Sequence, residues 1–267
     1  MSAITSIARD PCPKGDRGCK GSPFGDDWPA WQADFFKPAA ALLAAAPWIA
    51  ARGNHEICER AGAGYFRFLD PSLAKNGSPP ACTDLTPVYT AMVGDRSFIV
   101  MDTSNAGDRC RNGECDSAPY ATQFASLRPA PGSLFVSHRP IWGIGRNFEL
   151  NQTLQRALAE WEGKLPPGID LALSGHMHMF EILSFEDGRS PQLIVGTGGT
   201  KLDRAIKRRL EGTKLGGTIV SHGRALREFG FIMLMPRQGA SGWTATFVTG
   251  TGQAKLACSI TPAQARC

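Results

Sequence analysis

Nowhere in the 267 residues do apolar side chains run on for the roughly 20 positions that a membrane-crossing helix needs. No internal repeat and no linker rich in Gly, Ser or Pro divides the chain. It reads as one domain over residues 1–267, with a loop-rich segment over 1–27. Basic residues cluster tightly once, at Lys207-Arg208-Arg209, and no aromatic interleaves with them. The net charge of +5 therefore reads as solvated surface, and no nucleic acid is indicated as a partner. None of the eight cysteines stands in a CxxC pair, which argues against a thiolate zinc site. Histidine is scarce too, five in all, so where each one falls carries information.

What the chain does have is enough apolar content, 42%, to bury a full core. Its cysteines fall as sequence neighbours: Cys12 and Cys19, Cys58 and Cys82, Cys110 and Cys115, Cys258 and Cys267. Each pair brackets a segment rich in Gly, Pro or polar residues, so four short-range disulfides are expected. Disulfides imply an oxidising compartment, periplasmic or secreted. The first ten residues lack the charged start and apolar core of a signal peptide. Compartment and N-terminus thus point in opposite directions.

Four histidines sit just past the end of an apolar run. Leu171 to Ser174 leads into Gly175-His176-Met177-His178, Leu134 to Ser137 into His138-Arg139-Pro140, and Trp48 to Ala51 into Arg52-Gly53-Asn54-His55-Glu56. In an extended segment residues two apart project to one side, so His176 and His178 can face one point. In a sheet of largely parallel strands such ends lie along one edge, where α/β proteins place ligands. The fifth, His222, follows Thr218 to Ser221 but lies among basic residues and stays outside the candidate site.

Taken in order, Asp27 is an N-cap, with Pro29 in the first turn of a helix running through Phe35 and Phe36. Pro38 opens a second helix ending near Pro47, and a strand leads into the Gly53 turn. Residues 62–87 read as an irregular excursion. Val88–Val93 and Ser97–Met101 form a hairpin around Gly94-Asp95. A helix from about Pro119 precedes the His138 strand, and an amphipathic helix over Asn151–Glu162 precedes the His176 strand. Gln192–Val195, Gly230–Met235 and Trp243–Thr249 read as later, antiparallel strands. The fold class is α/β, a mixed sheet system with helices outside.

Neutral imidazole suits zinc, iron and manganese, and an asparagine carbonyl suits harder ions. Gly53-Asn54-His55-Glu56, the lone His138 after a strand and Gly175-His176-Met177-His178 resemble, in order and spacing, the calcineurin-like metallophosphoesterase family. The resemblance implies a mixed two-sheet β-sandwich flanked by helices in four layers. It also implies a dinuclear metal centre (Fe, Mn or Zn) at the strand ends, acting on a small-molecule or macromolecular phosphate ester. It assigns Asn54, His138 and His176 to one metal, His178 to the other, and transition-state or proton work to His55. Asp102 reads as an orienting carboxylate. Arg139 and Trp142 are candidates to line the cleft, beside the plainer reading of packing.

The family pattern opens with Asp-x-His and Gly-Asp, each at a strand end. Neither is found here: Gly25-Asp26 stands at a plausible distance, but Lys20-Gly21-Ser22-Pro23-Phe24 before it reads as loop. With the bridging carboxylate gone, three imidazoles and one amide face the mutual repulsion of two ions, so one metal is expected. These observations together predict an exported metallophosphoesterase whose N-terminal strands and first motifs lie outside this sequence. It would be a phosphomonoesterase or phosphodiesterase, impaired as the chain stands. The alternatives are a non-catalytic metal- or phosphate-binding protein that keeps half a site, and a disulfide-stabilised interaction module.

Overall fold

The structure, a computed structural model, describes residues 25–72, 77–110, 112, 114–145, 150–199, 201–204, 206, 209–237 and 241–267. The Cys12–Cys19 pairing and Lys207-Arg208 lie outside them. The described chain divides into two compact units. One comprises Pro87–Met101 with Ala106–Cys267, the other the described part of Ile4–Thr86 with Asp102–Asn105.

The larger unit holds every strand described. β1 (Tyr89–Val93) and β2 (Arg96–Met101) form the expected hairpin, turning at Gly94 with φ +61. β3 (Ser133–Ser137), β4 (Ile169–Ser174), β5 (Phe180–Phe185), β6 (Gln192–Val195), β7 (Lys214–Leu215) and β8 (Thr218–Leu226) complete an eight-stranded sheet ordered β1-β2-β3-β4-β6-β5-β8-β7. Its centre, β2-β3-β4-β6, is parallel, and its flanks are antiparallel. Gln192–Val195 is therefore antiparallel to β5 alone; towards β4 it is parallel. β3 is buried at every position, the pattern of a strand covered on both faces. A second sheet, β12-β11-β10-β9, is built of β9 (Gly230–Pro236), β10 (Trp243–Thr249), β11 (Ala254–Thr261) and β12 (Gln264–Arg266), all antiparallel.

The two sheets pack face to face. Leu134, Leu171, Phe180, Ile182 and Leu193 of the large sheet meet Trp243, Ala245, Phe247, Cys258 and Ile260 of the small one, with the Phe180 and Phe247 rings 5.3 Å apart. This is the mixed two-sheet sandwich expected. The opposite face of the large sheet carries helices α4 (Ala118–Ser126) and α5 (Gln152–Ala157), with Phe124 of α4 against Phe135. The α5 helix is shorter than its amphipathic pattern: a 3₁₀ turn (Ala159–Trp161) follows it, and Glu162 at φ +54 with Gly163 ends it. The disulfides Cys110–Cys115 and Cys258–Cys267 are formed as expected, the second across the β11–β12 hairpin.

The smaller unit is helical. Asp27 caps α1 (Trp28–Trp31) by accepting from the Ala30 N–H at 3.0 Å. The helix widens into a π segment over Gln32–Phe36 before α2 (Lys37–Ala45). Pro38 explains the widening: it has no N–H to donate and its ring crowds the carbonyl four residues back. The Lys37 N–H reaches back five residues to Gln32 instead. Residues 62–68, read as irregular, form a third helix, α3 (Gly62–Phe68). Its two glycines argue against helix, but the Trp31 indole stands where a Cβ on Gly64 would be, and Tyr65 and Phe66 join Trp31 and Phe35 in an aromatic core. Packing overrides propensity there. Trp48–Ala51 is not a strand: among the described residues this unit contains none for it to pair with. The disulfide Cys58–Cys82 ties the unit together.

No helix of the described residues is long and apolar enough to cross a membrane.

Candidate functional site

The parallel register of β3 and β4 sets Ser137 beside Ser174, so the residues that follow emerge as neighbours. The Gly175 N–H donates to the His138 carbonyl at 3.0 Å and holds the two strand ends together. His176 comes next in the left-handed region, at φ +66, unusual for a side chain of that size. The tight turn continues with Met177 N–H to Gly175 O and Met179 N–H to Met177 O. It can close only because residue 196 is glycine: a Cβ there would stand 1.9 Å from the Met177 carbonyl oxygen. Strain of this kind persists where the surroundings over-determine it, and it gathers at functional sites.

That conformation brings two imidazoles into contact. His176 Nδ1 lies 3.3 Å from His138 Nε2, with ring centroids 5.2 Å apart. On its other side His176 Nε2 meets Asp108 Oδ2 at 2.8 Å, and Arg139 Nη1 is 3.2 Å from that nitrogen. Arg139 also donates to Asp108 Oδ1 at 2.8 Å. Burial would push the Asp108 carboxyl up, but the hydrogen bond and charge of His176 and the Arg139 guanidinium together hold it down, at about 2. Asp108 is thus held as a carboxylate between a histidine and an arginine. Its loop is fixed by the start of α5. Asn151, fully buried, caps the helix through Leu154 N–H and donates to Ala106 O and Asp108 Oδ1, while Gln152 N–H donates to Asp108 O.

His178 is anchored separately. Its N–H donates to Asp203 Oδ2 and its Nδ1–H to the Lys201 carbonyl, each at 2.8 Å. A backbone carbonyl that takes Nδ1–H fixes the tautomer and leaves the Nε2 lone pair for a ligand. His222 lies within β8, not past its end, and accepts from the Cys267 N–H. Trp142, a candidate cleft residue, is fully buried beneath the Arg189 guanidinium and against Phe185. It is core.

In the smaller unit the Gly53-Asn54-His55-Glu56 turn is closed from both sides. Glu56 N–H donates to Gly53 O, and Glu56 Oε2 accepts from Gly53 N–H, each at 3.0 Å. Asn54 and His55 sit half-buried at the turn's apex. Arg52, fully buried, organises the surroundings: it donates to Glu56 O, Thr83 O and Asp102 Oδ2, and stacks over the Phe66 ring at 5.0 Å. Asp102 accepts further from Thr86 and Ser104 N–H, which makes it a buried partner of Arg52. Asp26 accepts from Trp31 Nε1 and Gly64 N–H, a structural use; Lys20–Phe24, read as loop, lies outside the described residues.

The donors of the larger unit suit a divalent ion in kind: three neutral-capable imidazoles and a carboxylate, with His178 already holding the ligand tautomer. Among the described residues no group of three or more His, Cys, Asp or Glu forms a metal cluster. His176 has both ring nitrogens engaged, one of them beside a guanidinium. An ion held by both rings would take the place of the His138–His176 contact.

Sequence reasoning missed Asp108, Asn151 and Gly196, none of which carries a motif. Arg139, beside His138, was legible as a cleft candidate.

The structure is similar to that of purple acid phosphatase PPD1 isolated from seeds of yellow lupin (Lupinus luteus). The TM-score is 0.42 at 18% identity, covering 65% of this chain and 32% of the lupin protein, so the chain spans about a third of that protein's length. It is also similar to GAP50, the anchor in the inner membrane complex of Plasmodium, with TM-score 0.45, 15% identity, and 90% and 76% of the two chains covered. No curated protein sequence matches it. The calcineurin-like phosphoesterase family matches over residues 15–180, well over half the chain and inclusive of every histidine but His222. The chain belongs to the calcineurin-like phosphoesterase family.

Proposed function

We propose that the chain is a metal-dependent phosphoric ester hydrolase, a phosphomonoesterase or phosphodiesterase of the periplasm or extracellular space. The observation that carries this reading is the contact of His138 with His176 at adjacent parallel strand ends, held by a strained turn inside the family-matched segment. Within the larger unit, His138 and His176 would hold one ion, and His178 Nε2 offers a further ligand. A bound ion supplies Lewis-acid polarisation of a phosphoryl oxygen and activation of water. Arg139 supplies a guanidinium for phosphoryl oxygens, matched bidentately to that geometry, and Asp108 keeps it oriented. The family resemblance gives His55, in the smaller unit, the proton work. The three disulfides described support the oxidising compartment.

A second reading, a non-catalytic binder of a single metal ion or phosphate, is favoured by one observation: His176 is engaged by His138, Asp108 and Arg139 together. Hydrolysis of an aryl phosphate mono- and diester with added manganese, iron or zinc separates the two. Metal-dependent turnover, lost in His176→Ala and reduced in His55→Ala with metal content intact, supports the hydrolase. Metal binding with no turnover under any of the three ions supports the binder.

A further inference from the structure

β9 lies at the edge of the four-stranded sheet, and its two faces are both apolar. Ile232 and Leu234 pack inward on the sandwich core. Phe231, Met233 and Met235 stand on the outer face, 47–62% exposed, with Phe229 at 47% beside them. Edge strands are normally interrupted by a charge, a proline or a bulge. Here residues 229–236 carry no charge, and Pro236 comes only at the end.

The backbone of this edge can be assigned. Gly250 N–H donates to Phe229 O and Arg237 N–H to Gly242 O, so odd-numbered residues bond towards β10. Gly230 points the other way, its N–H to Thr197 O and its carbonyl accepting from Thr197 Oγ1. By the strand's alternation, Ile232 and Leu234 direct N–H and C=O outward along the open edge. Among the described residues no strand pairs with them.

We propose that β9 pairs antiparallel with β9 of a second copy of this chain, about a two-fold axis at Met233, making one continuous eight-stranded sheet. In that register Ile232 and the second copy's Leu234 exchange both hydrogen bonds, twice over by symmetry. On the outer face each Phe231 meets a Met235, and Met233 meets itself. The charges fit as well. Glu228, which also ion-pairs with Lys255 of β11, precedes the apolar stretch and Arg237 ends it, so antiparallel pairing brings each acidic end near a basic one; Arg227 is turned back onto the Asp203 carbonyl. An isologous contact of this kind uses up its own edge and closes as a dimer.

The test is sedimentation velocity on the full chain over a range of concentrations, with two kinds of variant. The wild type forms a dimer. Met233→Lys sets two ammonium groups opposite each other and weakens it at least about thirtyfold, whereas Met92→Lys, at an exposed site on β1, leaves it unchanged. Met233→Cys, in a non-hydrogen-bonded pair with itself, forms a disulfide dimer on mild oxidation. Met235→Cys alone does not, but does when mixed with Phe231→Cys. This second series fixes the register even where Met233→Lys folds poorly. A monomer at every concentration overturns the proposal. So does open-ended association, a dimer indifferent to Met233→Lys, or equal cross-linking of Met233→Cys and Met235→Cys.

Discussion

His176 pays for its position in backbone strain, and that strain can be measured. A non-glycine residue in the left-handed region costs about 1 kcal/mol or somewhat more. His176→Gly and His176→Ala both delete the imidazole and its contacts with His138 and Asp108, so their difference isolates the backbone. The glycine variant is expected to be the more stable by about 1 kcal/mol in urea unfolding; equal stabilities would show that φ +66 is not strained here. Arg52 and Asp102 pose a different question at the same scale. Both side chains are buried, and the guanidinium serves two backbone carbonyls besides the carboxylate. Removing one partner of a buried pair leaves the other charge uncompensated, so Asp102→Ala should cost about 3–5 kcal/mol, read by urea denaturation. A loss under about 1 kcal/mol would mean that the backbone acceptors suffice for Arg52. The sequence placed Asp102 at a strand tip correctly, but its partner lies fifty positions away, and no local signal marks such a pair.

Among the elements, two local devices hold the sandwich and its site. Arg189 lies buried, clamped to Asp187 through Nε and Nη2 and laid over Trp142 and Phe185. Burial works to raise the Asp187 carboxyl, but Arg189's hydrogen bonds and charge outweigh it and leave Asp187 below its ordinary value. The folded state therefore holds that proton less tightly than the unfolded chain does. Its contribution is present above about pH 4 and is lost as pH falls through the depressed value. Asp187→Asn should be less stable than the parent at neutral pH, with the gap closing as pH falls below the ordinary carboxylate range; thermal melting from neutral into acid pH reads it, and a constant gap would contradict the linkage. The second device is Gly196, where even Ala drives a Cβ into the Met177 carbonyl. Gly196→Ala should displace the Gly175–His178 turn and cost about 2 kcal/mol or more, a scale typical of overpacking. The elements that sequence named well, β1 to β4 and α4, are those where local pattern and packing agree. Helix α3 and the 48–51 segment were misread because their state is set from outside: by a Trp31 indole and an Asp26 carboxylate in one case, and by the lack of a described strand to pair with in the other.

For the whole molecule, the motifs announced the family and the sandwich, because histidines at strand ends report both chemistry and topology. They did not announce Asp108 and Asn151, which reach the site through a loop and a helix cap. The central claim is that His138 and His176 are ligands of one metal ion. The five histidines allow a direct measurement, titration with Mn²⁺ followed by the imidazole resonances. At low Mn²⁺ the His138 and His176 signals should broaden first, while His222, held within β8, stays sharp, and His176→Ala should abolish the selective broadening at His138. Broadening of His222 to the same degree as His138, or none at either strand-end histidine, would contradict the account.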